Sequence, residues 1–301
     1  MRLPVVGVVS AVALAAALNA PGIAGAQPSR QVASGREVAL QDFDPAKFPT
    51  VAHVDNKWLP MPPGTRLVFQ GKANRGRGLK PHRVVVTVTD LTKVIDGVRT
   101  VVLWEQDISS GALQESEINF NAQDRDGNVW LLGEYPAEYE GRRFKRAPDV
   151  WISGVAGARA GVNMRAHPRP GTSSYFQGLA PAIEFKDEAT VAGTGGHSCV
   201  PIDCYDNVLR IKERNPLQPQ EGFQLKYYAP GVGNIQVGAI GGKEKEVLVL
   251  TSVRKLDANE MAQARKAALV LEAHAYQGSL VYRDTAPLET CDATGQCTPA
   301  S

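Results

Sequence analysis

The chain has 301 residues, of which 43% are hydrophobic and 21% charged, and its formal net charge is +2. This length and composition suffice for a full hydrophobic core, which excludes a disordered, collagen-like or multispan membrane protein. The near balance of basic and acidic residues argues against binding to a phosphate backbone, so no nucleic-acid partner is expected.

The N-terminal segment has the pattern of a secretory signal peptide. Arg2 is followed by an apolar stretch from Val5 to Leu18, which is shorter than a membrane span, and small residues at 24–26 precede Gln27. We therefore expect residues 1–26 to be a signal peptide that is cleaved before Gln27. The mature protein is then extracytoplasmic, either secreted or periplasmic, without a stable membrane span. Residues 27–54 have no sustained periodicity and are predicted to form an extended lead-in.

Residues 55–285 are predicted to form a single β-rich domain. Apolar and polar residues alternate from His82 to Ile95, and Asp96-Gly97 is typical of a two-residue hairpin turn. Strand patterns follow at 98–104, 113–121 and 129–132, which predicts a four-strand antiparallel meander. Further patterns at 175–192, 208–213, 223–228 and 246–253 complete a second set of strands. The predicted fold class is mostly β: a large curved antiparallel sheet or open barrel.

One amphipathic helix is predicted within this domain, at residues 257–276. Asp257 and Glu260 have the spacing of a capping box. Apolar residues then recur at intervals of three and four, at Met261, Ala264, Ala268, Leu271 and Ala275. Arg265, Lys266 and Glu272 are assigned to the opposite, polar face. The helix is expected to pack on the sheet, and residues 286–301 follow as a polar tail with a pair of cysteines.

The four cysteines form two local pairs. Cys199 and Cys204 are five residues apart, and Cys291 and Cys297 are six residues apart. In an oxidising compartment two local disulfides are the simplest of the three possible connectivities. The same four thiols could bind zinc, but their spacing differs from that of the usual zinc knuckles. We therefore predict neither a metal site nor a cofactor.

Several segments together resemble a group of uncharacterised secreted bacterial β-rich proteins. The resemblance rests on the run from Asn56 to Arg66, on the hairpin from Val85 to Val102, on residues 126–130 and on Lys226-Tyr227-Tyr228-Ala229-Pro230-Gly231-Val232-Gly233. It covers residues 55–240 and departs from the group's pattern at Gly193–Cys204, a glycine-rich segment with two cysteines. The resemblance implies a β-rich fold and export, and it brings no activity and no catalytic residues.

The sequence contains no motif of the common secreted hydrolases. It lacks both the Gly-x-Ser-x-Gly element of α/β-hydrolases and the His-Glu-x-x-His element of helical zinc proteases. Glu105, Glu115, Glu117 and Glu134 lie on predicted strands, where exposed carboxylates ordinarily alternate with apolar residues. The pattern therefore does not single out a catalytic carboxylate pair.

Large aromatic residues give the predicted sheet several flat apolar surfaces. The candidate ligand-binding residues are Trp58, Trp104, Trp130, Trp151 and Tyr228, which could line a concave site on the sheet. The same residues could equally form the core beneath the helix. We therefore predict a non-enzymatic binding or envelope-associated module, whose partner is a small apolar or amphipathic ligand or a component of the envelope. The alternative is a secreted hydrolase with a carboxylate or metal site outside the known motifs.

Overall fold

The computed structural model describes residues 40–74, 78–242, 245–292 and 294–300, together with two paired two-residue strands, Val5–Val6 and Ala11–Val12. Apart from those two strands, the predicted signal peptide and its cleavage site lie outside the described residues. They therefore stay predictions, as does the part of the lead-in that precedes residue 40.

From residue 40 onward the described chain forms one antiparallel sheet and one long helix. The strands are β1 (Thr65–Asn74), β2 (Leu79–Ile95), β3 (Val98–Ser109), β4 (Ala112–Gln123), β5 (Val129–Glu140), β6 (Arg143–Arg146), β7 (Trp151–Ile152), β8 (Arg159–Met164), β9 (Tyr175–Ala180), β10 (Phe185–Val200), β11 (Asp203–Arg214), β12 (Phe223–Ala229), β13 (Gly233–Ile240), β14 (Lys245–Lys255), β15 (Glu289–Cys291) and β16 (Cys297–Pro299). The helix α1 spans Ala258–Gly278, and short 3-10 turns lie at Pro45–Lys47, Pro181–Ile183 and Pro219–Glu221.

Twelve strands of the described chain close into an up-and-down barrel. Strands β1 to β5 pair in chain order, β5 pairs with β8, and β8 to β14 again pair in chain order. The barrel closes where β14 pairs with β1, with Val253 opposite Leu67. The short strands β6 and β7 pair with β5 outside this circuit, and the hairpin of β15 and β16 extends from β2. The predicted fold class is confirmed, with the sheet closed on itself.

Side-chain alternation divides the barrel strands between an inner and an outer face. Phe69 on β1 lies opposite Val84 on β2 and Leu250 on β14, and all three are at most 1% exposed. These residues form part of the core inside the barrel, because successive residues of a strand point to opposite faces. The outer face is covered by α1 along one side.

The described end of the predicted lead-in packs on the barrel. The ring of Phe48 lies 6.1 Å from that of Trp130 between centroids, and Phe43 also packs edge-on against Trp130. Val54 and Met61, just before β1, are buried as well. Residues 40–54 therefore differ from a purely extended lead-in, because their apolar side chains find a place in the core.

The helix starts as predicted and is held by one interaction that the sequence pattern missed. Asp257 and Glu260 form the capping box, with each side chain accepting from the other residue's backbone N–H. Glu272, assigned above to the polar face, is instead buried and lies 2.9 Å from the Nζ atom of the buried Lys93 on β2. The assignment is wrong because helical periodicity cannot show that a basic residue of another element faces the helix.

The C-terminal segment is also part of the fold rather than a free polar tail. Leu288 is buried, and its N–H donates to the Glu272 carboxylate. Cys291 and Cys297 lie directly opposite each other in the β15–β16 hairpin and form a disulfide. The second disulfide joins Cys199 and Cys204 near the tip of the β10–β11 hairpin. Both predicted pairs are present, as expected in an oxidising compartment.

Within the described residues, no helix combines the length and the hydrophobicity that a bilayer crossing requires.

Replacing Gly97 with Val is expected to lower the free energy of unfolding by about 1–3 kcal/mol, the usual cost of a strained backbone. Asp96 and Gly97 have φ angles of 50° and 78°, as a type I′ turn requires. A β-branched side chain is a steric outlier at such angles. Urea unfolding measures the effect, and Asp96→Asn, which suits the same turn, is the near-neutral control. A Gly97→Val variant as stable as the parent would show that this turn does not set the hairpin register.

Candidate functional site

The five aromatic residues proposed from the sequence do not meet at one place. Trp58 is buried in the main core shortly before β1, and Trp130 packs with Phe43 and Phe48. Trp151 stacks on Phe185 in a separate small cluster. Of the other two, Tyr228 faces the barrel interior and Trp104 faces outward. Tyr228 lines a small cavity in the interior, and Trp104 lines a larger depression on the outer face.

The barrel interior contains an unusual number of carboxyl groups for a buried surface. Those that are at most 5% exposed are Glu105, Asp107, Glu115, Glu117, Glu134, Asp187, Glu213 and Glu246. Glu105 lies directly opposite Glu117, and Asp107 lies directly opposite Glu115. Among the described residues, His82 and Lys226 are the buried basic groups bonded to this set, through Glu246 and Glu213. We call this set the acidic interior.

The expectation that the carboxylates at 105, 115, 117 and 134 are exposed is wrong. The apolar residues that alternate with them, such as Phe120 and Tyr135, face outward and pack on Tyr282, which follows α1. The carboxylates consequently point inward. Alternation alone cannot show which face of a strand becomes the interior, and this explains the error.

Two carboxyl groups of the acidic interior have raised pKa values. Burial raises the pKa of Glu117 well above its ordinary value, and the charges of Glu134, Glu105 and Glu115 raise it further. Burial likewise raises the pKa of Asp187, with Glu213 adding to the effect and Lys226 opposing it. A pKa rises in this way when the charged form is desolvated or repelled.

His82 connects two carboxylates and one hydroxyl at the same side of the interior. Its Nε2 atom lies 2.7 Å from Glu246 Oε1, and its Nδ1 atom lies 2.9 Å from Ser109 Oγ and 3.4 Å from Asp107 Oδ1. A hydroxyl, an imidazole and a carboxylate in series are the components of a nucleophilic site. However, none of the three cavities described below is lined by His82 or Ser109. The hydrolase alternative therefore has a hydrogen-bonded chain that none of these three cavities adjoins.

The opposite, apolar part of the interior is nearly filled. Tyr228, Phe69, Met61 and Leu103 line a cavity of about 40 Å³, whose polar lining consists of Asn163 and Asn234. This volume is of the order of one water molecule. A drug-sized ligand requires several hundred Å³, so the cavity around Tyr228 does not accommodate one in this conformation.

The outer face provides a much larger depression, which we call the arginine groove. Its volume is about 520 Å³, within the range of small-molecule sites. Outward-facing residues of β1, β2, β3 and β14 line it together with one residue of α1. These residues are Arg66, Val68, Gln70, Arg83, Val85, Trp104, Gln106, Thr251, Ser252, Arg254 and Gln263.

The middle of the arginine groove is apolar and held in place by the sheet. Val68 and Val85 lie directly opposite each other on β1 and β2 and are at most 9% exposed. Trp104 lies beside them on β3, and its indole N–H donates to Ser116 Oγ at 2.9 Å, which fixes the ring. Trp104 is therefore the one tryptophan of the four that lines a cavity of ligand size among those described.

Positive charge surrounds this apolar middle. Arg66 on β1 lies directly opposite Arg254 on β14. Arg254 donates to both oxygens of Glu260 at 2.6 and 2.5 Å, and this pairing lowers the pKa of Glu260 to about 2. Arg66 donates through Nε to Thr87 Oγ1 at 3.1 Å. Within the described part of the chain, neither Arg66 nor Arg83 has a carboxylate partner. No local pattern indicates this cluster, because its three arginines lie on three separate strands, β1, β2 and β14.

A second, shallower depression continues from the arginine groove and shares Gln106 with it. This depression has a volume of about 500 Å³ and is lined by Ile108 and Leu113 together with the loops at Gly111 and Arg142. The outer face of β3 and β4 therefore offers an apolar surface next to the basic one.

One group of residues has the proximity of a metal site but not its chemistry. A ring nitrogen of His197 and the sulfurs of Cys199 and Cys204 lie within 4.8 Å of one another. The two sulfurs are joined in a disulfide, whereas a metal binds the thiolate. No other such trio of ligand atoms occurs among the described residues.

No family model matches the chain, and no curated protein matches it. Two solved structures are similar to it. One is a Bacteroides fragilis protein, assigned as exported, with a YmcC-like fold; it has 12% identity and a TM-score of 0.39, and the match covers 66% of this chain and 100% of that chain. The other is a Parabacteroides distasonis protein assigned as a lipoprotein, with 14% identity, a TM-score of 0.36 and the same coverage.

Proposed function

We propose that this protein is an extracytoplasmic, non-enzymatic binding module and that its ligand occupies the arginine groove beside Trp104. The observation that carries the proposal is the groove itself, with a volume of about 520 Å³ on the outer face of a closed barrel. A rigid sheet is a suitable scaffold for such a site because it holds the lining side chains in place without a ligand. The signal peptide pattern and the two disulfides support the extracytoplasmic location.

The chemistry of the groove supports an amphipathic ligand. Val68, Val85 and the ring of Trp104 offer an apolar floor, and glutamine, serine and threonine side chains lie around it. Most ligand sites combine such an apolar lining with a few polar groups that fix orientation. The cavity around Tyr228 in the barrel interior, at about 40 Å³, is too small for the same ligand.

The proposal is tested by native mass spectrometry of the mature protein purified from its own secretome. We expect the parent to carry a small bound molecule, which the Trp104→Ala variant loses because the apolar floor is opened. Leu217→Ala, which truncates an exposed apolar residue outside the groove, is the control and should keep the molecule. If parent and Trp104→Ala carry the same bound mass, or if neither carries one, the groove is not the ligand site.

A further inference from the structure

We infer that the ligand of the arginine groove is an anionic amphiphile, an inference that rests on the proposed function. Arg66 and Arg83 bind its one phosphate, sulfate or carboxylate group, and its apolar chain lies toward Ile108 and Leu113. The inference deepens the proposed function by assigning a charge and a direction to the ligand.

The positive charges that line the arginine groove repel one another. Arg66 and Arg254 are directly opposite each other on neighbouring strands, where like charges destabilise a sheet. Burial lowers the pKa of Arg66, and the charges of Arg254 and Arg83 lower it further, opposed by Glu260. Glu260 neutralises Arg254 by a two-point contact. Two positive charges of the three are left for an anion.

The hydrogen-bond donors of the groove are of the type that binds an anion. Gln70 on β1 lies directly opposite Arg83 on β2, and both residues line the groove. Arg66 is also on β1, four residues before Gln70, and its side chain faces outward as well. Guanidinium groups present planar sets of N–H donors that match carboxylate and phosphate oxygens, often in bidentate fashion. The groove therefore presents N–H donors from adjacent strands, with Arg66 opposite Thr87 and Arg83 four residues from Thr87 on β2, so that the two arginines flank the pair of Val68 and Val85.

The outward face of β3 leads from the arginine groove into the second, apolar depression. Trp104 and Gln106 lie two residues apart on β3, and Ile108 continues the same outward face into the second depression. Leu113 on β4 lies beside it, since Ile108 and Leu113 are paired across the sheet. Arg66 is level with Trp104, through Thr87, and Arg83 lies directly opposite Ile108. A chain that starts between the two arginines can therefore continue over Ile108 and Leu113 and bury apolar surface, which favours an amphiphile over a free anion.

The test is calorimetric titration of the mature protein with octyl phosphate, octyl glucoside, octyltrimethylammonium and inorganic phosphate, each below any micelle concentration. We expect octyl phosphate to bind most tightly and inorganic phosphate at least about tenfold more weakly, because it lacks the chain. Arg66→Gln and Arg83→Gln should each weaken octyl phosphate about tenfold, and added salt should weaken it further. Arg159→Gln, which changes an exposed arginine outside the groove, is the matched control.

Thermal melts without ligand separate a binding role from a structural one. Removing a repelled charge should leave the melting temperature of Arg66→Gln equal to or above that of the parent. A marked loss of stability would mean that Arg66 is structural, and it would overturn the inference. If octyl glucoside and octyl phosphate bind equally and Trp104→Ala loses both, the inference of an anionic ligand is overturned, whereas the proposed function stands. Equal binding of inorganic phosphate and octyl phosphate would contradict the proposal that the ligand has an apolar chain. If none of the probes binds, both the inference and the proposed function are contradicted.

Discussion

Replacing Glu272 with Ala is expected to lower the free energy of unfolding by about 3–5 kcal/mol, the range for breaking a buried ion pair from one side. Glu272 Oε1 lies 2.9 Å from Lys93 Nζ, and the carboxylate also accepts from Tyr282 Oη at 3.2 Å and from the Leu288 N–H at 3.0 Å. Lys93 is fully buried over the ring of Tyr282. The variant therefore removes the carboxylate partner of the buried ammonium, which keeps its contacts with Ala286 O and Tyr276 Oη, and it leaves two other donors without their acceptor.

Urea unfolding at pH 7 measures this effect, and a double variant provides the control. Lys93→Met combined with Glu272→Leu removes both charges, and it should recover much of the stability that Glu272→Ala loses. A loss below about 1 kcal/mol in Glu272→Ala would show that the pair does not hold α1 on the barrel. The result matters for the proposed site because α1 brings Glu260 to Arg254 and Gln263 to the groove.

The protein is expected to be more stable at pH 5 than at pH 8, because burial favours the protonated forms of Glu117 and Asp187 in the folded state. The pKa values of Glu117 and Asp187 are raised in the folded protein, above all by burial. Below the unfolded-state pKa both states are protonated, and the stability is fully present. As the pH rises toward the higher folded-state pKa, the unfolded state releases its protons first, so stability is lost.

Groups with lowered pKa values act in a different pH range. Glu260, whose pKa is lowered to about 2, contributes stability that is lost only as the pH falls below its ordinary value of 4.5. Urea unfolding between pH 5 and 8 therefore leaves out the loss of the Glu260 contribution, and carboxyl variants identify the part of the stability loss that comes from Glu117 and Asp187. The loss should shrink in Glu117→Gln and in Asp187→Asn, and it should persist in Asp284→Asn, which changes an exposed carboxylate. Equal or greater stability of the parent at pH 8 would contradict the protonated interior.

The local signals of the sequence were sufficient for the fold class but not for the barrel contents. The Asp96-Gly97 turn and the Asp257–Glu260 capping box are both formed as predicted, because each depends on residues a few positions apart. The acidic interior was not predictable, since alternation along β3 and β4 is compatible with either face pointing inward. Likewise, Lys93 and Glu272 are separated by 179 residues, and no periodic pattern links them.

The arginine groove was beyond sequence analysis for the same physical reason. Arg66 and Arg254 become neighbours only through the pairing of the first and last barrel strands, and this register is a long-range property. Trp104 was selected from the sequence as a candidate and lies in the groove, whereas Trp130 and Trp151 pack in aromatic clusters. Whether Trp104 binds a ligand stays a prediction.

The most direct test of the groove as the ligand site follows the four tryptophan indole N–H signals by NMR during titration with octyl phosphate. Trp104 lines the groove, whereas Trp58, Trp130 and Trp151 do not. The account predicts that the Trp104 indole signal shifts in a saturable way while the other three stay in place. If the Trp104 signal stays unchanged throughout the titration, whether or not another tryptophan signal shifts, the groove is not the binding site of octyl phosphate.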